Sequence, residues 1–317
     1  MSGPSGSGRS DSAPPEPVQR PRPRESLDRC ALRAQLRGDA MIGTAFPAAR
    51  LLLVEQPGPW GRAGLLESRF NPAVAAALQR RANEAGVRVE AIRRPGRTPR
   101  GELRRWAFVD THPGQETIRW ATYEGDHELL GVPLDGSAGT GDSAPIFLVC
   151  AHGKHDPCCA LRGRNVAAAL AERRPGRVWE CTHVGGDRFA ANVLVLPTGL
   201  LYGRLLPFAV AEFAAAAEAG EVVGTLLRGR VGLPPHVQAA LAHCYEQLAL
   251  RHVAELSVLG YTPVADGAAS VRLGTPHGPV EVAVHVERVA AEGLTCAAPA
   301  AGHYLRYRPI AINSSWE

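Results

Sequence analysis

The chain has 317 residues, an apolar fraction of 45% and a formal net charge of +4 at pH 7. This length is sufficient for two domains with separate hydrophobic cores. The charge is slight and the arginines are scattered, so the clustered basic, aromatic-rich surface of a nucleic-acid-binding protein is not expected.

Residues 1–27 contain Ser, Gly, Pro and Arg with almost no large apolar side chain, which predicts a disordered tail. The tail lacks the apolar centre of a secretory signal, and no run of about 18 apolar residues offers a membrane span. We therefore expect a cytoplasmic protein without membrane contact. In that compartment the seven cysteines favour metal binding or redox chemistry over a disulfide framework.

Residues 28–134 are predicted to form a first α/β domain, followed by a Gly-, Ser- and Asp-rich linker at residues 135–144. The expected elements are a helix at Asp28–Gln35, a strand at Arg50–Gln56, a helix from Pro72 to a stop at Gly86, a strand at Val87–Ile92, a hairpin across Thr111–Gln115 and a short helix at Asp126–Leu130.

Residues 145–232 repeat that order and predict a second α/β domain. The expected elements are a strand in PIFLVCA, a helix at Arg162–Glu172, a strand in RVWECT, a hairpin over Thr198–Gly199 and a helix at Phe208–Ala219. Each half therefore reads β-α-β, then a hairpin, then α, which is the thioredoxin-like order. Residues 233–317 predict a long helix, from Pro234–Pro235 to Leu256, and a small β appendage.

Chemistry-bearing side chains are concentrated between Phe147 and Arg204. Cys150, Cys158 and Cys159 follow the strand FLVC, while His183 and Asp187 follow the next strand with the spacing H-x-x-x-D. Loops that leave the ends of parallel strands are the usual ligand positions of α/β folds. Soft thiolates beside imidazole and carboxylate donors suit a metal ion or an iron–sulfur centre.

Three segments carry a family resemblance: CAHGKHDPCCALRGR, VWECTHVGGDRFAANVLVLPTGLLYGR and LLLVEQPGPWG. On these motifs the chain resembles the sucrase/ferredoxin-like family, whose ligand-bearing domain is similar to thioredoxin-like 2Fe–2S ferredoxins. The repeated order of elements predicts two thioredoxin-like domains in tandem. Only the second is expected to carry a cluster, since no cysteine lies between Ala31 and Val149. The resemblance does not imply sugar hydrolysis, because no carboxylate pair stands out.

The resemblance further implies one 2Fe–2S cluster bound by Cys150, Cys159 and His183. Asp187 stands where family members with mixed ligation have a second histidine, and we assign it as the fourth ligand. Gly185 and Gly186 would let backbone amides approach the cluster sulfurs. The residues expected to surround the cluster or to compete as ligands are His152, Lys154, His155, Cys158, Gly185, Gly186 and Arg188.

The remaining cysteines are expected to be structural. Cys181 lies on a predicted strand and Cys244 in a predicted helix, while Cys30 and Cys296 are isolated in the sequence.

Two alternatives to an electron carrier remain open at this point. Thiol–disulfide exchange is one, although the usual C-x-x-C at a helix start is absent. A structural zinc module is the other, since zinc accepts Cys, His and Asp ligands. No G-x-G-x-x-G follows a strand, so flavin or nicotinamide binding is not expected. A ferredoxin would instead exchange electrons with a partner protein, a reductase or an acceptor whose identity the sequence does not give.

Overall fold

The computed structural model describes residues 28–96, 103–298 and 300–314. The predicted tail at residues 1–27 lies outside these ranges. A ten-stranded mixed sheet and a four-stranded antiparallel sheet, with helices packed on them, make up the described chain. Within the described ranges, no helix has the length and apolar character needed to cross a membrane.

The first half follows the predicted order closely. Its elements are α1 (Cys30–Arg37), β1 (Arg50–Glu55), α2 (Pro72–Glu84), β2 (Val87–Arg93), β3 (Arg104–Asp110), β4 (Thr117–Tyr123), a 3₁₀ helix (Asp126–Gly131) and β5 (Thr140–Gly141). Helix α2 begins where predicted, because Pro72 occupies its first turn and the Asn71 side chain accepts hydrogen bonds from two backbone amides. The segment predicted as a linker contributes β5, which pairs with β4.

The second half has the same succession of strands and helices. Its elements are β6 (Ile146–Cys150), α3 (Pro157–Arg173), β7 (Val178–Cys181), β8 (Val193–Leu196), β9 (Leu200–Tyr202), α4 (Val210–Glu218) and β10 (Leu227–Arg230). Strand β10 was not predicted. The predicted start of α3 at Arg162 was also wrong: the helix begins at Pro157, because Asp156 caps it and proline suits a first turn. Cys158 and Cys159 therefore lie in a helix and not in a loop.

The two halves share one sheet. Strands β2 and β7 pair in antiparallel fashion through Ile92 with Cys181 and Arg93 with Glu180. The resulting order is β10-β9-β8-β6-β7-β2-β1-β3-β4-β5, so β2-β1-β3-β4 in one half corresponds to β7-β6-β8-β9 in the other. The mixed α/β class is confirmed. The division into two thioredoxin-like domains stays a prediction.

Alternation along the strands creates cores on both faces of the sheet. Leu52 of β1 packs with the α2 side, and Phe147 of β6 packs with α3 and α4. On the opposite face, Leu51 and Leu148 belong to one hydrophobic cluster that contains side chains from both halves. This shared cluster fixes the first half against the second.

The C-terminal part consists of α5 (Pro235–Gln247) and a sheet in the order β11-β12-β13-β14. Its strands are β11 (Ser257–Pro263), β12 (Ala269–Thr275), β13 (Gly278–Glu292) and β14 (Ala301–Ser314). The predicted continuation of α5 to Leu256 was wrong: the helix ends at Gln247, and the chain turns at Ala249 with a φ of 52°. Strands β11 and β12 were not predicted.

Candidate metal centre

The end of β6 and the first turn of α3 place two thiols side by side. Cys150 is the last residue of β6, and Cys159 lies two residues after the first residue of α3. Both side chains are fully buried. Parallel pairing of β6 with β7 sets Cys150 opposite Cys181, two residues before His183. The pairing of β6 with β7 therefore places the His183 imidazole close to the two thiols.

Among the four predicted ligands, His183 is the one whose Nδ1 lies close to the donor atoms of the other three. This nitrogen is 3.9 Å from Cys150 Sγ, 3.9 Å from Cys159 Sγ and 3.1 Å from Asp187 Oδ1. Asp187 Oδ1 is also 3.5 Å from Cys159 Sγ. The structure therefore brings together two thiols, one imidazole and one carboxylate. Each of these four groups contacts at least one of the others.

The loop between His183 and Asp187 is shaped by two glycines. Gly185 and Gly186 adopt φ values of 78° and 71°, in the left-handed region that side chains disfavour. A Cβ on Gly186 would also lie 2.5 Å from Arg228 Nη2. Glycine at this position is required by both the backbone conformation and the guanidinium beneath it.

Arg228 is a buried cation that sequence reasoning missed. Its Nη1 donates to the Gly185 carbonyl and to Asn192 Oδ1, each at 2.9 Å, and Asn192 Nδ2 donates to the Gly186 carbonyl at 2.9 Å. Burial lowers the pKa of Arg228 to about 9, still a cation at neutral pH. No motif in the sequence marks this residue, since it lies on the unpredicted strand β10.

Burial and mutual contact shift the pKa values of the cluster. The hydrogen bond from Cys159 is the main cause that lowers the pKa of Cys150, and the contact with His183 lowers it further. The same Cys150–Cys159 hydrogen bond, together with burial, raises the pKa of Cys159. Burial opposes protonation of His183, but the bond to Cys150 and the nearby anions outweigh it and raise its pKa. Burial raises the pKa of Asp187 to about 6. These shifts favour the thiolate form of Cys150 and the protonated form of His183.

The other predicted residues occupy distinct places. His155 stacks on His183, with ring centroids 3.8 Å apart and planes at 17°, and forms a further candidate ligand group with His183 and Asp187. His152 Nε2 contacts the Gly61 carbonyl at 2.6 Å, so its ring is engaged with the first half. Lys154 is exposed, and Arg188 lies 3.3 Å from Asp39. These three are not part of the donor group.

Cys158 is directed away from this centre. Its sulfur lies 3.6 Å from that of Cys30 and 3.5 Å from that of Cys296. Cys30 and Cys296, which are isolated in the sequence, therefore lie together with Cys158 in the fold. By contrast, Cys244 is buried in the apolar cluster between α5 and the C-terminal sheet.

The first half supports the His183 loop directly. Arg88 of β2 donates from Nη2 to the His183 carbonyl at 2.7 Å and forms an ion pair with Glu90 at 2.5 Å. Thr182 Oγ1 donates a hydrogen bond to Glu90 Oε2 and accepts one from the Ala91 amide. The half without a thiol cluster thus orients a candidate ligand of the other half.

The sucrase/ferredoxin-like family model matches residues 41–229, more than half of the chain. The chain belongs to this family. All four residues of the donor group lie inside the matched range, whereas Cys30 and Cys296 lie outside it.

Comparison with solved structures adds one similar chain, a thioredoxin-like [2Fe-2S] ferredoxin from Aquifex aeolicus. It is 23% identical, with 30% of this chain and 97% of that chain covered and a TM-score of 0.26. No curated protein sequence matches this sucrase/ferredoxin-like chain.

The donor set fits an iron–sulfur or metal cofactor. Thiolate, imidazole and carboxylate are all established iron and zinc ligands, and the two thiols are screened from solvent. The nearby Arg228 cation compensates negative charge, as an anionic centre in a buried site requires. The residues that could hold the cofactor are Cys150, Cys159, His183 and Asp187, with His155 as a further donor.

Proposed function

We propose that this protein is a one-electron carrier with one 2Fe–2S cluster bound by Cys150, Cys159, His183 and Asp187. The observation that carries the proposal is that the other three donors, from two separate chain segments, all lie within 3.9 Å of His183 Nδ1. When bound, the cluster supplies a site that accepts and releases a single electron. Each segment offers one pair of ligands, which suits a centre with two irons.

Charge balance supports the same assignment. A 2Fe–2S core held by two thiolates, one carboxylate and one neutral imidazole has one net negative charge when oxidised. Arg228, fully buried beneath the Gly185–Gly186 loop, offsets that charge. Its hydrogen bond to the Gly185 carbonyl, and that of Asn192 to the Gly186 carbonyl, also hold the loop between His183 and Asp187 in place. The chain's own contribution is therefore a fixed, partly neutralised pocket.

The electron would enter and leave on the histidine side of the centre. His183 retains 18% side-chain exposure, and His155 stacks on it, whereas both thiols are fully buried. The ring of His155 lies 5.7 Å from that of His152, which lines a surface depression. The basic residues of this depression include Arg29, Lys154 and Arg164. We assign the unidentified partner to the class of redox proteins with an acidic docking face, because opposite charges speed encounter.

A single zinc ion is the second candidate, and one observation favours it. The donor atoms of Cys150, Cys159 and His183 all lie within 4.8 Å of one another, as three ligands of a single tetrahedral zinc ion would. Thiol–disulfide exchange has less support, because complete burial of Cys150 and Cys159 prevents attack by another protein's thiol.

Anaerobic purification followed by iron, sulfide and zinc analysis tests the proposal. We expect a red-brown protein with about two irons and two sulfides per chain. A colourless protein in which Cys150→Ser removes zinc would overturn the electron-carrier function and establish the zinc alternative. An iron content near four would contradict the single-cluster assignment.

The partner assignment has its own test with small redox reagents. Reoxidation of the reduced protein by anionic ferricyanide should slow as ionic strength rises, whereas reoxidation by cationic hexaammineruthenium should not. Lys154→Glu with Arg164→Glu should reverse the ferricyanide dependence. An identical salt response for both reagents would exclude a basic docking surface.

A further inference from the structure

Three cysteines from distant parts of the chain meet outside the proposed cluster site. The sulfurs of Cys30, Cys158 and Cys296 form a triangle with sides of 3.6, 3.5 and 3.5 Å. They come from the start of α1, the first turn of α3 and the connection between β13 and β14. All three are free thiols, and Cys30 and Cys158 are fully buried.

Asp156 completes the group with a carboxylate. It is fully buried, and its Oδ2 and Oδ1 lie 3.6 and 3.8 Å from Cys30 Sγ. Its oxygens also accept the backbone amides of Cys158 at 2.8 Å and Cys296 at 2.7 Å. The carboxylate therefore fixes the backbone at two of the cysteines while an oxygen faces the sulfurs.

The backbone at the start of α1 is turned toward the same sulfurs. No side chain caps this helix, and the Cys30 amide instead lies 3.5 Å from Cys296 Sγ as a hydrogen-bond donor. Amides directed at sulfur stabilise the thiolate form and are typical of the surroundings of metal ligands. Packing of three neutral thiols would not require such donors.

We propose that Cys30, Cys158, Cys296 and Asp156 bind one Zn²⁺ ion at a second, structural site. A tetrahedral zinc with bonds of about 2.3 Å to sulfur and about 2.0 Å to oxygen has sulfur–sulfur edges of about 3.8 Å and sulfur–oxygen edges of about 3.5 Å. The observed triangle and the 3.6 Å contact of Asp156 Oδ2 with Cys30 match these edges.

A disulfide is a poorer account of the same arrangement. A disulfide shortens one sulfur–sulfur distance to about 2 Å and leaves the third cysteine without a partner. Here the three distances are nearly equal, and no pair is singled out.

Four protein ligands leave no open coordination position, so the site would be structural and not catalytic. The ion would join α1 and the β13–β14 connection to the start of α3. Cys158 and Asp156 would then hold the helix turn that carries Cys159. The C-terminal sheet thereby gains a role, since it supplies Cys296 to a site 266 residues away from Cys30.

The inference is independent of the electron-carrier function, because the two sites share no ligand. Metal analysis of the full chain separates them. The wild-type protein should contain about one zinc besides its iron. Cys30→Ser and Cys296→Ser should lose that zinc and keep iron, sulfide and visible absorption. The double variant Cys150→Ser with Cys159→Ser should lose iron and keep the zinc, and Cys244→Ser should keep both.

X-ray absorption at the zinc edge covers the case in which Cys30→Ser does not fold. In the wild-type protein we expect three sulfur neighbours and one oxygen neighbour. Two sulfurs with nitrogen and oxygen would instead place the zinc at Cys150 and Cys159, which overturns the inference.

Three other results would also overturn the second site. The first is that the wild-type protein contains no zinc. Peptide mapping would then find either a disulfide among the three cysteines or all three alkylated as free thiols. The second is retention of zinc in both single variants. The third is that the Cys150→Ser, Cys159→Ser double variant still binds iron and loses it when Cys30 and Cys296 are also replaced. The second site would then be an iron centre.

Discussion

Cys158 and Cys159 are adjacent in the first turn of α3, yet their side chains belong to different clusters. Cys158 Sγ lies 3.5 Å from Cys296 Sγ, whereas Cys159 Sγ lies 3.5 Å from Asp187 Oδ1. Successive helical residues point about 100° apart, so one turn can serve two sites. One turn of α3 therefore contributes a cysteine to each of the two proposed sites.

Cys150→Ser and Cys159→Ser should each abolish the iron-dependent visible absorption, because thiolates are the strongest donors of the proposed set. Absorption spectra with iron analysis measure the effect. Cys244→Ser is the matched control, since that cysteine is equally buried but lies in an apolar cluster. A normal spectrum and full iron content in Cys150→Ser would show that the ligand assignment is wrong.

Substitution of Asp187 should change the reduction potential in a direction set by charge. Asp187→His replaces an anionic ligand by a neutral one, so the centre accepts an electron more readily and the potential should rise. Asp187→Cys keeps the charge and should lower the potential or leave it nearly unchanged. Redox titration at several pH values distinguishes the variants, and parental values in both would mean that Asp187 is not a ligand.

Arg228→Met should lower both stability and reduction potential. The substitution leaves the Gly185 and Thr44 carbonyls and Asn192 Oδ1 without their donor, at a cost of about 3 kcal/mol or more in the free energy of unfolding. Loss of a buried cation also makes an added electron less favourable. Urea unfolding and redox titration measure the two effects. Arg228→Lys should restore part of the potential, and a potential equal to that of Arg228→Met would contradict the charge argument.

Gly163→Ala should destabilise the protein although alanine favours helices. A Cβ at this position of α3 would lie 2.0 Å from the Cys150 carbonyl oxygen. Relief of the clash moves α3 away from the end of β6, with a cost of about 1–3 kcal/mol. Gly131→Ala is the control, because nothing lies within 4 Å of its Cβ. Equal unfolding free energies for the two variants would contradict the close helix–strand contact.

Asp187 should contribute stability that the metal-free protein loses as the pH rises from about 4 to 6. Burial raises the pKa of Asp187 from 3.8 to about 6, so the folded state holds a proton that the unfolded state releases within this window. Above 6.5 the raised pKa of His183 acts in the same direction, whereas the lowered pKa of its partner Cys150 acts in the opposite direction. Thermal unfolding across this range is the measurement. Asp187→Asn should flatten the dependence below pH 6; an unchanged slope would contradict the assignment.

The sequence by itself located the candidate centre, because its Cys, His and Asp side chains follow two predicted strands; the family resemblance singled out Cys150, Cys159, His183 and Asp187 as the proposed ligands. Cys150 ends β6, and His183 and Asp187 follow β7, so local strand patterns and short spacings suffice to place them together. The order of elements in each half follows from the same local patterns. The start of α3 was misjudged because an apolar helical pattern begins at Arg162, whereas the capping pair Asp156–Pro157 sets the true start.

Only the tertiary structure decided which distant residues meet. Cys30, Cys158 and Cys296 are separated by more than a hundred residues, and no periodicity relates them. Arg228 resembles a surface arginine in sequence, and its burial depends on the pairing of β10 with β9. The continuous ten-stranded sheet depends on the contact of β2 with β7. Such contacts are set by packing of completed elements against one another, and local sequence patterns carry no signal for them.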